Sequence, residues 1–238
     1  LIPRFTSYRE LTDEHKTYAQ TIQGMSNDTY RNTLIINDIC TALEAERSPI
    51  VLTNLTSHVE TLATMLASKC KNVITLVGSE SVKEKRMKMI RLQAILPTES
   101  LVIVATGKYI GEGFDYPRLD TLFLALPVSW KGIVAQYAGR LHREYSGKKD
   151  VRIYDYIDIH LPLCDTMYKR RLKGYAAVGY KLNSTNPGTL FSDVQDIIFN
   201  GKNFLKPYLA DLSHAHKSVV ISSTKLWLTK RTPMLDIL

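Results

Sequence analysis

The chain has 238 residues, of which 45% are hydrophobic, and its 31 lysines and arginines against 23 acidic residues give a formal net charge of +8. This length suits one large domain, or one domain with short appendages, and the apolar content is ordinary for a globular protein. No apolar run approaches the roughly 20 residues that a membrane-spanning helix needs, and the polar start does not resemble a signal peptide. We therefore expect a cytoplasmic protein without a membrane partner.

The elements in chain order predict an α/β fold. Two helical patterns come first, and the second ends at Ser48 because the following Pro49 disfavours helical backbone before it. Five short apolar or β-branched runs follow, typical of strands buried on both faces, and helical patterns separate them. The strands are predicted at 50–53, 72–77, 101–105, 121–125 and 151–156, and the helices at 13–25, 28–47, 57–69, 82–96, 133–143 and about 163–180. This alternation predicts an open, mostly parallel sheet with helices on both faces.

Composition divides the chain into three parts. Residues 1–48 are predicted to form a helical lead-in, and residues 49–182 the main domain. The stretch NSTNPGT (183–189) has the composition of a linker. Residues 183–238 are too short to bury a core of their own, so we interpret them as a linker and part of a C-terminal module.

The stretch QYAGRLHR (136–143) is the first candidate site. On a helix, Gln136, Arg140 and Arg143 are spaced four and three apart and share one face. Gly139 removes a side chain beside the first arginine and leaves room for a ligand or a facing domain. Two guanidiniums with a glutamine suit a polyphosphate, although a solvated basic face fits this pattern equally well. The side chains predicted to pack on the sheet are Val134, Tyr137 and Leu141.

The stretch ATGKYIGEGFDYP (105–117) is the second candidate site. Its three glycines follow a buried strand and allow close approach of a ligand to the backbone. Asp115 could accept hydrogen bonds from a sugar hydroxyl, and Thr106 and Lys108 could hold a phosphate. A glycine-rich loop is more often only a turn. The chain lacks both GxGxxG and GxxxxGK[ST], which argues against a Rossmann-like transferase.

Metal chemistry and nucleophilic catalysis have no recognisable signature in the sequence. The three cysteines are far apart without a CxxC pair, and none of the six histidines belongs to an HExxH pair, so we predict no metal site. Two basic runs modestly favour a polyanionic partner such as nucleic acid. They consist of Lys83, Lys85, Arg86, Lys88 and Arg91, and of Lys169, Arg170, Arg171 and Lys173.

Taken together, these stretches resemble the C-terminal RecA-like domain of superfamily-2 DEAD/DEAH-like helicases and translocases, over roughly residues 1–180. ATGKYIGEGFDYP resembles motif V, and QYAGRLHR matches the motif VI pattern QxxGRxxR at every defined position. VLTNLTSHVETLATML resembles motif IV, and GSESVKEKR resembles the segment after the next strand. The spacing and the phrase DTLFLALPVSWKG are similar to bacterial helicases of the XPB-like and type III restriction branch. The tail NFLKPYLADLSHAHKSVVISSTKLW is similar to the start of a phospholipase D-like nuclease module, without its HxK…D signature.

The resemblance implies an ATP-dependent helicase in which ATP, with Mg²⁺, sits in a cleft between two RecA-like domains. Arg140 and Arg143 would act as arginine fingers on the γ-phosphate. Gln136 would couple the nucleotide to domain closure, and Gly113 and Asp115 would approach the ribose and the domain interface. The residues that would face the backbone of DNA, or RNA, are Thr53, Thr56, Thr106 and Lys108.

The first RecA-like domain, with its phosphate loop and its Mg²⁺-binding acidic motif, is expected outside these 238 residues as a partner of this one. We therefore expect little or no ATP hydrolysis by this chain alone. DNA repair and restriction are both open as biological roles. The alternative function is a non-catalytic domain that binds nucleic acid or another protein, which the charge of +8 and the absence of a phosphate loop favour.

Overall fold

The computed structural model describes residues 1–10, 16–107, 109, 114–128 and 135–181, and these form an α/β domain around one sheet. Neighbouring strands are parallel throughout the six described strands, in the order β1-β6-β5-β2-β4-β3. The strands are β1 (Ile2–Phe5), β2 (Pro49–Thr53), β3 (Asn72–Leu76), β4 (Leu101–Thr106), β5 (Thr121–Leu124) and β6 (Arg152–Ile157). The predicted open, parallel sheet is confirmed, and so are the five predicted strands within it.

Strand β1 is an addition that the sequence did not predict. It pairs in parallel with β6, with Ile2 opposite Tyr154, and forms one edge of the sheet. Four residues that include Pro3 and Arg4 carry neither alternation nor a long apolar run, so the pattern shows no strand. Arg4 is buried in the fold because its Nε donates to Asp38 Oδ2 over 2.8 Å. The lead-in thus contributes a strand as well as helices.

Three of the described helices begin where a side chain caps the first turn. The helices are α1 (Tyr18–Asn27), α2 (Thr29–Glu44), α3 (Thr56–Leu66), α4 (Val82–Ala94), α5 (Ala135–Leu141) and α6 (Pro162–Ala177). Thr17 caps α1 in a reciprocal capping box with Gln20, and Ser81 caps α4 in the same way with Glu84. Asp28 caps α2 by accepting from the backbone N–H of Arg31. Most of these helices are a few residues shorter than the patterns predicted.

Helices cover both faces of the sheet, as predicted. On one face, α2 and α3 bury side chains such as Ile39 and Leu62 against Val51, Val104 and Phe123. On the other face, α4, α5 and α6 pack on the alternate residues of the same strands. Each fully buried aliphatic or aromatic side chain stabilises the fold by roughly 1.5–3 kcal/mol, so these two clusters hold the helices on the sheet.

The chain divides into a unit that spans Leu1–Ser192 and a second that spans Asp193–Leu238, and every described element belongs to the first. The predicted linker, C-terminal module and phospholipase D-like start fall at 183–238, outside the described residues. Among the described helices, none is long and apolar enough to cross a membrane.

Candidate functional site

Helix α5, which carries most of QYAGRLHR, is fixed against the chain that follows β4. Tyr137 and Leu141 are each 3% exposed and pack into the core, as their spacing predicts. The Tyr137 hydroxyl donates to the carbonyl of Gly107, directly after β4. Burial raises the pKa of Tyr137 to about 12, so the hydroxyl keeps its proton and its donor role at neutral pH. The two candidate sites in the sequence are therefore one place in the fold.

Arg140 makes a second contact between α5 and the chain that follows β4. Its Nη1 donates to the carbonyl of Phe114, within the segment that runs from the glycine-rich stretch to β5. The side chain is partly buried and lines a cavity of about 20 Å³ with apolar neighbours that include Phe114, Tyr116 and Leu141. Such a volume holds about one water molecule, so the cavity itself cannot accept a nucleotide. A wider, open cavity of about 730 Å³ lies just past the end of α5 and is lined by residues that include His142, Arg143 and Lys148.

Arg143 forms an ion pair with Asp115 through Nη1 and Oδ2. The side chains are 55% and 39% exposed, and Arg143 lies just past the end of α5 at Leu141. An ion pair this exposed contributes about 0–1 kcal/mol. Its partners can therefore exchange at little cost when a stronger ligand arrives.

Gly139 and Gln136 lie on the exposed side of α5. A Cβ built on Gly139 would have no described heavy atom within 4 Å, so this position faces open space. The predicted room beside Arg140 is present. A surface that approaches α5 here would meet helix backbone, one amide side chain and the two arginines.

Lys148 is a residue of this site that sequence reasoning missed. Its Nζ donates to the carbonyls of Pro117, Leu141 and Arg143 over 2.6, 2.9 and 2.7 Å. It satisfies the last carbonyls of α5 and ties them to the segment from β4. Burial lowers the pKa of Lys148, which the charge of Asp120 opposes. The sequence signal that could have revealed this role is the position of the lysine, a few residues after the predicted end of the helix.

At the carboxyl ends of β2 and β4, Thr53 lies in register beside Thr106. The Thr53 side chain is fully buried, and its hydroxyl is 2.8 Å from His58 Nδ1 and 3.5 Å from the N–H of Leu55, from which it accepts. This hydroxyl therefore has no direct access to a ligand in the present arrangement, which differs from the expected contact with nucleic acid. A threonine at a strand end is as well suited to hold a turn as to hold a phosphate.

His58 completes the buried polar cluster at this edge. Its Nε2 lies 2.9 Å from Asn32 Oδ1, and the Asn32 amide donates to the carbonyl of Ser26 over 2.8 Å. Burial, and then the charge of Arg31, lower the pKa of His58 to about 3. The imidazole is thus neutral at physiological pH and acts as a structural link between α2 and α3.

Thr56 and Thr106 are better placed for a ligand than Thr53. Thr56 is exposed at the first residue of α3, a helix whose first turn no side chain caps. Thr106 is 8% exposed, and its Oγ1 has no hydrogen-bond partner within the described part of the chain. A buried hydroxyl without a protein partner is uncommon in folded proteins and is usually satisfied by water or a ligand. Lys108 and Gly113, also predicted here, lie outside the described residues.

Side chains from several parts of the chain hold the segment 125–128, which follows β5. Arg31 donates to the carbonyl of Ala125, Asn54 to that of Pro127 over 3.1 Å, and Arg171 to that of Val128 over 2.9 Å. Both arginines also form buried ion pairs, and Arg171 binds Asp155 through two hydrogen bonds of 2.8 and 2.9 Å. The segment 125–128 is therefore anchored from α2, from the turn after β2 and from α6.

Arg171, which the sequence places in a basic run that could meet a polyanionic partner, is 1% exposed and does not face solvent. Helical periodicity was the signal that could have shown this burial. The buried residues of α6 are spaced four, three, three and one apart, at Cys164, Tyr168, Arg171, Gly174 and Tyr175, so Arg171 lies on the inner face of the helix. No group of three or more histidine, cysteine, aspartate or glutamate side chains that could hold a metal ion occurs among the residues described.

The six parallel strands and the helices on both faces define a RecA-like α/β domain. In the structure of T4 UvsW, the matching region aligns with a TM-score of 0.59 at 22% identity and covers 76% of this chain and 40% of that one. The chain is 31% identical over 106 residues to uncharacterized protein 108L of Invertebrate iridescent virus 3, which covers 44% of this chain and 95% of that protein. It belongs to the same family as protein 108L.

Protein 161L of Invertebrate iridescent virus 6, which is named as a candidate helicase, is 28% identical over 167 residues. The match covers 66% of this chain but 36% of that protein, so the chain spans about a third of its length. No protein-family model matches the chain.

Proposed function

We propose that this chain is the C-terminal RecA-like half of an ATP-dependent helicase or translocase that acts on DNA. The observation that carries the proposal is the arrangement of α5, in which Arg140, Arg143 and Gln136 border the open surface at Gly139 beside the chain that follows β4. The RecA-like fold and the similarity to a candidate helicase support it.

The proposal assigns the cofactor to a cleft shared with a first RecA-like domain of the same protein. ATP would bind there with Mg²⁺, whose ligands belong to that other domain. Two guanidiniums beside a bare helix surface fit a triphosphate presented by a facing domain. The chain by itself would then hydrolyse little or no ATP, because it supplies only the arginine side of the site.

Domain closure would exchange the partners of both arginines. Arg143 would leave Asp115, and Arg140 would leave the Phe114 carbonyl, for phosphate oxygens in a cleft with little water. Fixed guanidiniums aimed at developing negative charge stabilise the transition state there far more than they stabilise an exposed ion pair. Asp115, once released, would be free to accept from the ribose near Gly113, and Gln136 would sense the closed state.

The nucleic-acid track would follow the carboxyl ends of β2 and β4. Thr56 and Thr106 carry the hydroxyls available to phosphate oxygens, and Lys108 belongs to the same proposed track. Thr53 would act indirectly, because its buried hydroxyl holds the turn into α3. Contacts of this kind fix the backbone and not the bases, so binding should be indifferent to sequence and sensitive to salt.

Membership of the XPB-like and type III restriction branch, a bacterial source, a phospholipase D-like module and a cytoplasmic location are still predictions. The phrase DTLFLALPVSWKG supports the first of them. The relatives reported above come from viruses.

The decisive experiment uses the protein with its upstream domain and replaces Arg140 or Arg143 by alanine. We expect the DNA-stimulated kcat for ATP to fall by about 10³-fold or more for at least one of the two, because arginine fingers contribute about 10³–10⁵. Lys149→Ala is the matched control, since Lys149 is an exposed cation a few residues beyond α5. Its activity should stay within about twofold.

Retention of full ATPase activity in both arginine variants would refute the arginine assignment. The alternative, a non-catalytic nucleic-acid-binding domain, rests on the charge of +8. A titration of this chain against single- and double-stranded DNA and against RNA, over a range of salt concentrations, would distinguish the two. Tight binding by the isolated chain would favour the alternative, and weak binding would favour half of a shared motor.

A further inference from the structure

Helix α4 presents a stripe of apolar side chains to solvent. Val82, Met87 and Ile90 are 84%, 60% and 52% exposed, whereas Leu92 is the one residue of α4 classed as fully buried. At 100° per residue these three side chains and Arg86 lie within one broad face of the helix, opposite the side that packs on the sheet. Single exposed apolar residues are ordinary, but three on one face of a short helix mark an interaction surface.

The cations of α4 divide into two groups. Lys88 faces the domain, where its Nζ donates to Glu80 over 2.5 Å and to Thr75 over 2.9 Å. Lys85 lies over the ring of Tyr109, 5.2 Å from its centroid. Both are therefore engaged within the fold, and the basic run in the sequence is not one uniform surface.

The second group consists of Lys83, Arg86 and Arg91, which are exposed around the apolar stripe. Within the described part of the chain, no ion pair or hydrogen bond is observed for these three side chains. The one acid of α4, Glu84, is held by Ser81 in the capping box. The stripe is thus bordered by positive charge that lacks a counter-charge on its own helix.

We propose that this surface, formed by Val82, Lys83, Arg86, Met87 and Ile90, docks an acidic amphipathic helix of a protein partner. Charge complementarity selects the acidic partner, because carboxylates beside its apolar side chains would pair with the free cations. The aliphatic centre selects a protein over nucleic acid, which is gripped by cations with aromatic side chains that stack on bases. None of the five residues takes part in the proposed ATP site or nucleic-acid track, so the inference does not depend on that function.

The test is a selection from a displayed library of random 16-residue peptides on the 238-residue chain. Peptides that also bind the Ile90→Glu, Arg86→Glu double variant are removed. We expect enrichment of acidic peptides with apolar residues spaced three and four apart. The proposal is wrong if no enriched peptide depends on Ile90 and Arg86. It is also wrong if the enriched peptides carry no excess of acidic residues.

Enriched peptides are then measured by fluorescence anisotropy. Ile90→Glu should weaken their binding at least tenfold, and so should Arg86→Glu, with the second effect reduced at high salt. Leu163→Glu on α6 is the control, because Leu163 is also 51% exposed on a helix with cations and should leave binding unchanged. Ile90, Arg86 and Leu163 are all exposed, so the thermal unfolding temperature of each variant should match that of the parent chain.

A 20-nucleotide oligodeoxythymidine is measured in parallel on the same proteins. If Arg86→Glu weakens oligonucleotide binding tenfold while Ile90→Glu has no effect on any peptide, α4 is a nucleic-acid surface and the proposal is wrong. If the oligonucleotide binds all variants equally, whereas the acidic peptides bind the Ile90→Glu and Arg86→Glu variants more weakly than the parent chain, the protein-docking assignment stands.

Discussion

Replacement of Arg171 by methionine should destabilise the domain more than any other single change to an ion pair of α6. The pair with Asp155 is 1% exposed on both sides, and removal of the arginine leaves a buried carboxylate with the Tyr175 hydroxyl, 3.0 Å away, as its remaining described partner. Breaking such a pair costs about 3–5 kcal/mol. For a domain of this size, this corresponds to a fall in Tm of roughly 6–20 °C.

The measurement is urea denaturation of the 238-residue chain, followed by circular dichroism, with Lys169→Met as the control. Lys169 pairs with Asp165 over 2.6 Å on the same helix, but the two side chains are 61% and 32% exposed. That variant should lose about 0.5 kcal/mol or less. Hydrogen exchange should also quicken at the amides of Leu126 and Val128 in Arg171→Met, because the Val128 carbonyl loses its donor.

A double-mutant cycle with Asp155→Leu tests the physical reason. Because the cost arises from the charge left unpaired, Arg171→Met with Asp155→Leu should be more stable than the sum of the single changes predicts, by about 2–3 kcal/mol. A loss below about 1 kcal/mol for Arg171→Met, or a loss equal to that of Lys169→Met, would refute the view that this buried pair holds α6 against β6 and the segment 125–128.

Three further changes test other parts of the site. The pKa of His58 is lowered to about 3 in the fold, so the unfolded chain takes up the proton first and stability falls as the pH drops from about 6.5 towards 3, by on the order of 4 kcal/mol; His58→Gln should remove this slope in urea titrations at several pH values. Lys148→Met should cost about 1–2 kcal/mol and speed hydrogen exchange at residues 141–143, and unchanged exchange there would contradict its capping role. Gly139→Ala should leave the free energy of unfolding of this chain unchanged or increase it by about 0.5–1 kcal/mol. The ATPase activity of the protein with its upstream domain should nevertheless fall at least tenfold. Unchanged activity would show that no domain faces Gly139.

Local patterns predicted the elements whose structure depends on local chemistry. The five predicted strands are short β-branched or apolar runs, and four of them are buried along almost their whole length, as such runs require, whereas β3 at the edge of the sheet is partly exposed. The inner face of α5 followed from the spacing of Tyr137 and Leu141. The sequence pattern did not predict β1, because this strand is held by its pairing with β6, which lies far away in the chain.

Contacts across long sequence distances limited the prediction of the site. The spacing of Arg140 and Arg143 showed that they share a helix surface, but not that Phe114 and Asp115 are their partners. The hydroxyl of Thr53 was expected at a ligand, and only the placement of His58 beside it shows the internal hydrogen bond. Residue type gives the chemistry that is available, and tertiary packing decides whether it faces solvent or the interior.

The pairing of β1 with β6 also determines the order in which the domain can be completed during synthesis. Ile2 and Tyr154, which face each other in the sheet, are 152 residues apart in the chain. At about 5–20 residues per second, the ribosome needs roughly 8–30 s to make the strand that β1 requires. During this interval β1 has no partner strand, while β2, β3 and β4 can already pair with one another. Pairing of β1 with β6 therefore completes this edge of the sheet as a late step of folding, after the centre has formed.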